Sequence, residues 1–242
     1  MAHAPDDSTQ SHDMIGRRMP FWAAVSTSAL AVVSFGVAVT TPPRSGPFAA
    51  SGTAISHPYS DAARFVPRDF IWMYLALLMM LAYLVLSACL RESAAGGRGA
   101  AGTLGLSLAV SSFVVIAADY FIQLQTVQPA LVRGEGADVV ALTQYNPHGV
   151  FIALENLGFL AMALSFGAFA LALGTSSRLE RATRWLLFGA STLAVVSFVG
   201  MSIYFGTNLD YLFEVTVITI DWFTLASAGA MLAVVFARQS GG

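Results

Sequence analysis

Four carboxylates interrupt otherwise apolar stretches of this 242-residue chain: Asp119, Glu155, Glu214 and Asp221. Acids in apolar surroundings can bind a cation, hold and pass a proton, or work as a general acid–base pair. No arginine or lysine lies deep in the same stretches to neutralise them. Their spacing is helical. Glu214 and Asp221 are seven residues apart and share a helix face, with Asp210 on the same stripe at its mouth. His148 and Glu155 are also seven apart, with Asn156 beside them, and Ser112, Asp119, Gln123 and Thr126 form a third stripe. The three stripes meet if their helices are neighbours. Gln144 and Asn146, with Gln125 and Gln128, add amides at one rim, suited either to recognising a polar head group or to solvating an entrance.

The elements that carry these residues are membrane spans. Apolar residues make up 56% of the chain, charged residues 11%, and the mean hydropathy is +0.69, where a soluble protein carries about a quarter charged residues. A bilayer core of about 30 Å needs about 20 apolar residues per helix. Six stretches qualify: 21–41, 70–90, 103–128, 148–173, 185–206 and 211–237. The expected fold is therefore all-α, a six-span helix bundle over residues 21–238, preceded by a disordered tail at 1–20. Pro42-Pro43 follows the first span and Gly96-Gly97 the second, Pro129 closes the third, and Asn146-Pro147 reads as an N-cap and N1 opening the fourth. The first apolar run is too long for a signal-peptide core, so it is expected to remain as a span.

Eight of the twelve arginines fall on the side of the two termini and four on the other, which predicts cytoplasmic termini and places the chain in a cell (inner) membrane as a multi-pass protein. At 1.5 Å per residue, Glu214 lies about 6 Å from the outer edge, Glu155 about 10 Å, Asp119 about 13 Å and Asp221 about 16 Å. The inner halves of the same helices carry small residues four apart, Ala163 and Gly167, Ala168 and Ala172, Gly229 and Ala233, a pattern that lets helices pack closely. The expectation is an acidic cup opening outward above a tight floor. The opposing expectation is structural: a protonated acid bonded to a neighbouring helix, or Arg64 or Arg68 folding down onto Glu214 or Glu155.

Several chemistries are excluded. All twelve basic residues are arginine, so nothing built on a lysine amine is available. The single cysteine, Cys89, permits no intrachain disulfide or redox pair and reads as a packing residue. A net charge of −2 gives no nucleic-acid footprint. No zinc motif or nucleophile elbow is present, and no metal or cofactor is expected, although Asp119, Glu155 and one of Glu214 or Asp221 offer the oxygen ligands a hard cation would take. His148, near the interface, reads as a capping or interfacial histidine, or as a group taking up protons from outside. An echo between 116–121 and 218–223, each a short apolar run ending in Asp-aromatic-Phe, would suit an inverted repeat with its site at the midplane.

The stretches Asp119-Tyr120-Phe121-Ile122-Gln123-Leu124, Gln144 to Glu155 and Ile220-Asp221-Trp222 resemble those of uncharacterised six-span bacterial inner-membrane proteins. The resemblance covers the second to sixth spans, contains three of the four acids and implies no activity. Three functions stay open: binding or transport of a small polar molecule or cation with proton coupling, catalysis on a lipid or isoprenoid, and an accessory subunit in a membrane complex. A repeat with discontinuous helices would favour the first, a lateral opening beside an acid pair the second, and an exposed polar stripe the third.

Overall fold

A computed structural model describes residues 7–41, 43–49, 51–94 and 96–240. The long helices are α1 (Asp7–Val39), α2 (Ile71–Ser93), α3 (Gly99–Ile122), α5 (Val150–Ala172), α6 (Arg178–Phe205) and α7 (Leu212–Ser240), and α4 (Gln128–Arg133) is short. Six helical segments are long and apolar enough to cross a membrane, and no strand occurs among the described residues. Their outward faces are themselves apolar. Leu78, Val114, Leu157, Val196, Ile203 and Phe223 are all exposed, a distribution suited to lipid and not to water. The core is aromatic and methionine-rich, with Tyr83, Tyr120, Phe151, Phe159, Phe166 and Trp222 fully buried.

The six spans form a closed ring in chain order, α1–α2–α3–α5–α6–α7, with α7 returning to α1. Across the ring, α5 also touches α7 and α2. The acid-bearing helices α3 and α7 therefore both pack on α5. Close approach depends on small residues: a Cβ on Gly158 would stand 2.5 Å from Ile116 of α3, and one on Gly229 would stand 2.9 Å from the carbonyl of Ala24 on α1. Ala163, Ala168, Ala172 and Ala233 are buried, as the small-residue pattern predicts. A ring that circulates in chain order also excludes an inverted three-plus-three repeat. A two-fold axis in the membrane plane reverses the sense of circulation and cannot lay the first three spans on the last three. The echo between α3 and α7 is local.

Several expected boundaries move. The helix of the first span starts at Asp7, so residues 7–20 are helical where a disordered tail was expected, while residues 1–6 lie outside the described residues. Adding a residue to an existing helix avoids the cost of nucleation. Pro129 does not close the third span. A π-helical turn at Gln123–Val127, in which the Gln128 amide donates to the Gln123 carbonyl five residues back, carries the helix past the proline to Arg133. The helix then ends at Gly134, φ +79°, with Gly134 and Glu135 amides returning to Leu131 and Ala130 carbonyls. The wider turn also rotates Thr126 off its stripe, and it is exposed. Asn146-Pro147 does not open the fourth span, because α5 begins at Val150 behind Gly149. The Asn146 side chain instead accepts from the His148 amide and donates to the Val140 carbonyl, which holds 146–149 in a turn.

Candidate functional site

The described residues of three connections, 40–70, 134–149 and 206–211, fold together over one end of the ring and tie it by buried polar contacts. Arg44 grips Asp69 with two parallel bonds, Nε to Oδ2 at 2.8 Å and Nη2 to Oδ1 at 2.9 Å, and both side chains are almost fully buried. The guanidinium also lies 3.9 Å over the Phe65 ring. The bonds to Asp69 raise the Arg44 pKa further, so it is a permanent cation. The Tyr145 hydroxyl donates to Asp69 Oδ2 at 3.3 Å, and burial first, then the charge of Asp69, raises its phenol above the ordinary value. Trp72 Nε1 and Gln144 Nε2 both donate to the Asp69 carbonyl. Ser45 donates to the Tyr145 carbonyl and shares a 2.7 Å hydrogen bond with the Tyr211 hydroxyl, which also reaches the Gln144 carbonyl at 3.0 Å. Gln123, opening the π-helical turn, donates to Leu142 and accepts from the Gln144 amide, joining α3 to the cap.

Beneath the cap the helices bring three of the four acids together. Glu155 is fully buried one turn into α5 and accepts a 2.6 Å bond from the Tyr120 hydroxyl of α3. Its carboxyl lies within hydrogen-bonding range of Glu214, near the start of α7, and Asp119 is close enough for its charge to be felt by both. Glu155 Oε2, Glu214 Oε2 and Asp119 Oδ2 are cut off from solvent and have no hydrogen-bond partner. Among the described residues, no cation is paired with them. Arg64 pairs with Asp61 at the surface and Arg68 donates to the Thr40 carbonyl, so neither folds onto the acids. Asp221, two turns and about 10 Å further along α7, stands apart. It is fully buried with neither carboxylate oxygen bonded, and Tyr83 of α2 is within reach of its charge. Tyr83 itself is bonded to Ser165 of α5.

The remaining candidates divide. His148 is outside α5 and does not share a helix face with Glu155. It is largely exposed, and its Nε2 meets Asp210 Oδ1 at 3.3 Å. Asp210 precedes α7 with φ +42°, and so is off the stripe of Glu214 and Asp221. Asn156 is half-buried with an unpartnered Oδ1. Gln123, Gln144 and Asn146 bind the backbone of the cap. Among the described residues, no group of three His, Cys, Asp or Glu is arranged to hold a metal ion.

A cavity of about 380 Å³ adjoins the acids. Aromatic rings dominate its wall: Phe35, Trp72, Phe151 and Trp222 from the helices, Tyr145 and Tyr211 from the cap. Its polar end is Arg44, Asp69, Gln144 and Glu214. At its rim, Val39 of α1 and Val215 and Thr219 of α7 are exposed on the apolar flank of the ring. Glu214 is the one acid of the four on this wall; Asp119 and Glu155 lie behind it. The four acids therefore do not line a single acidic cup. Sequence reasoning missed the Arg44–Asp69 pair and the aromatic wall. An Asp directly before an apolar run beside an arginine-bearing loop is the only trace of the pair in the sequence.

Fold and composition define an all-α integral membrane protein with six spans. No family model, no curated protein and no solved structure matches the chain.

Proposed function

We propose that this protein binds a small amphiphilic molecule from the bilayer in the crevice between α1 and α7, with its polar group at the cap and its apolar part against the rings. The observation that carries the reading is the cavity's polarity. It is mainly aromatic and aliphatic along the spans, its charged groups gather at one end, and its exposed rim belongs to two spans rather than to the water-facing loops. The arginine weighting favours cytoplasmic termini, which puts this end on the outer side of an inner membrane. The Glu155–Glu214 pair holds a proton beside the bound molecule, because two touching carboxylates without a cation cannot both be ionised.

A second reading, proton-coupled transport of that molecule, is favoured by Asp119, which extends the row of acids from the cavity into the bundle. Catalysis on the bound lipid would use the same two carboxyls as acid and base. Binding comes first in either case and is directly testable. A single-chain lipid carrying a diazirine on its tail should label residues of α1 and α7 in purified protein. Thr219→Trp, which fills the rim, should cut that labelling at least fivefold with thermal stability unchanged. Labelling spread evenly over all six spans and unaffected by Thr219→Trp would overturn the proposal.

A further inference from the structure

Resting on that reading, we infer that the polar group the cavity takes is an organic cation, a substituted ammonium carrying an apolar tail. The charges on the wall decide the sign. Arg44 is the cavity's cation, and its Nε and Nη2 are both bonded to the Asp69 carboxylate, so its charge is already matched. Glu214 is the acid left open: among the described residues it has no basic partner, its Oε2 is unbonded, and the neighbour behind it is a second acid, Glu155, at zero exposure with its own unbonded Oε2. An incoming anion would meet this pair and be repelled. An incoming cation supplies the missing counter-charge.

The walls point the same way. Ring faces carry partial negative charge and attract ammonium groups, most strongly when water is excluded, and cages of aromatic rings are the usual receptors for quaternary ammonium. Trp72 and Trp222 stand 6.5 Å apart at a 55° tilt, and Phe35 packs edge-on to Trp222 at 6.2 Å. These three rings with Phe151 and Glu214 combine a rigid π surface with one anionic group. A quaternary ammonium needs no hydrogen-bond donor or acceptor from such a wall, only charge and contact.

Binding must then weaken as the pair takes up protons. The titratable groups around Glu214 are Glu155 on α5, Asp119 and Tyr120 on α3, and Tyr211 just before α7. The cap adds Arg44, Asp69 and Tyr145 on the same cavity. The stretches of α1 and α6 at this end, 28–39 and 185–205, carry no charged residue. A proton and a bound cation compete for the same carboxylates, so lowering the pH favours the cation-free state.

The test uses purified full-length protein in maltoside micelles, with the exposed Trp22 and Trp185 replaced by Phe so that Trp72 and Trp222 report. Three brominated dodecyl probes are compared by fluorescence quenching: the trimethylammonium, its uncharged tert-butyl isostere and the carboxylate. The cation should bind at least tenfold more tightly than the isostere, lose that advantage in Glu214→Gln, and weaken as pH falls while the isostere does not change. The pH arm requires no change at Glu214, so it stands even if Glu214→Gln misfolds. Equal binding of cation and isostere, or preference for the carboxylate, overturns the cation inference and leaves the amphiphile reading intact. Failure of all three probes to quench overturns both.

Discussion

Asp69 and Glu214 are carboxylates on the wall of the same cavity, and their surroundings are opposite. Asp69 is closed: both oxygens hold Arg44, one also takes Tyr145, and its carbonyl receives Trp72 and Gln144. Glu214 is open: its neighbour is another acid, and one of its oxygens has no partner. The same functional group is thus an architectural clamp in one place and an unsatisfied carboxyl in the other. What separates them is the arginine. A buried acid with a bidentate guanidinium fixes loops, whereas a buried acid without one must hold a proton or receive a ligand.

That contrast can be broken most severely at the clamp. Asp69→Ala leaves Arg44 buried without a counter-charge and should cost about 3–5 kcal/mol, visible as a large loss of thermal stability in detergent. Replacing both, Asp69→Leu with Arg44→Leu, should recover much of the loss, since two apolar groups leave no buried charge behind. If the single variant is as stable as the parent, the clamp does not hold the cap.

A smaller effect sharpens the same side. Tyr145→Phe removes one hydrogen bond to Asp69 and should cost about 1 kcal/mol at neutral pH. The phenol's folded pKa is raised above its ordinary value near 10, so the folded chain keeps a proton that the unfolded chain releases. Its contribution is complete below about pH 10 and is lost as pH rises from there toward the raised folded value. Urea unfolding followed through pH 9–11 should show this alkaline loss in the parent and a flatter profile in Tyr145→Phe. At the small end, His148→Ala should change stability by no more than about 0.5 kcal/mol, because its contact with Asp210 is exposed and screened. A larger loss would mean that the clamp is not the cap's main tie.

Much of the fold was legible because the bilayer simplifies sequence. Six apolar runs of sufficient length are six helices, and the small residues at 163–172 and 229–233 mark where helices approach. The association of Asp119, Glu155 and Glu214 was legible in part, since helical spacing puts each on an inward face, but the role of α5 as their common neighbour is tertiary. Other features were ambiguous locally. Asn146-Pro147 fits an N-cap and an Asx turn equally, and the turn prevails because Asn146 finds the Val140 carbonyl. Pro129 stops a helix only where no wider turn absorbs the missing amide, and Gln123–Val127 absorbs it. Arg44 and Asp69 are 25 residues apart across a loop, and no periodicity joins them.

The seam between α1 and α7 differs from every other junction in the ring, because the remaining neighbours are consecutive spans linked by a connecting segment. It is held by the Ser28 hydrogen bond to the Ala226 carbonyl at 2.6 Å, by Phe35 against Trp222 and Phe223, by the close contact at Gly229, and in the cap by the Ser45–Tyr211 bond. It can part without stretching any loop. During synthesis, moreover, the first span waits in the membrane until the last one arrives. The cavity at this seam has no existence on the growing chain until α7 is inserted, so arrival of α7 is also the event that closes its wall.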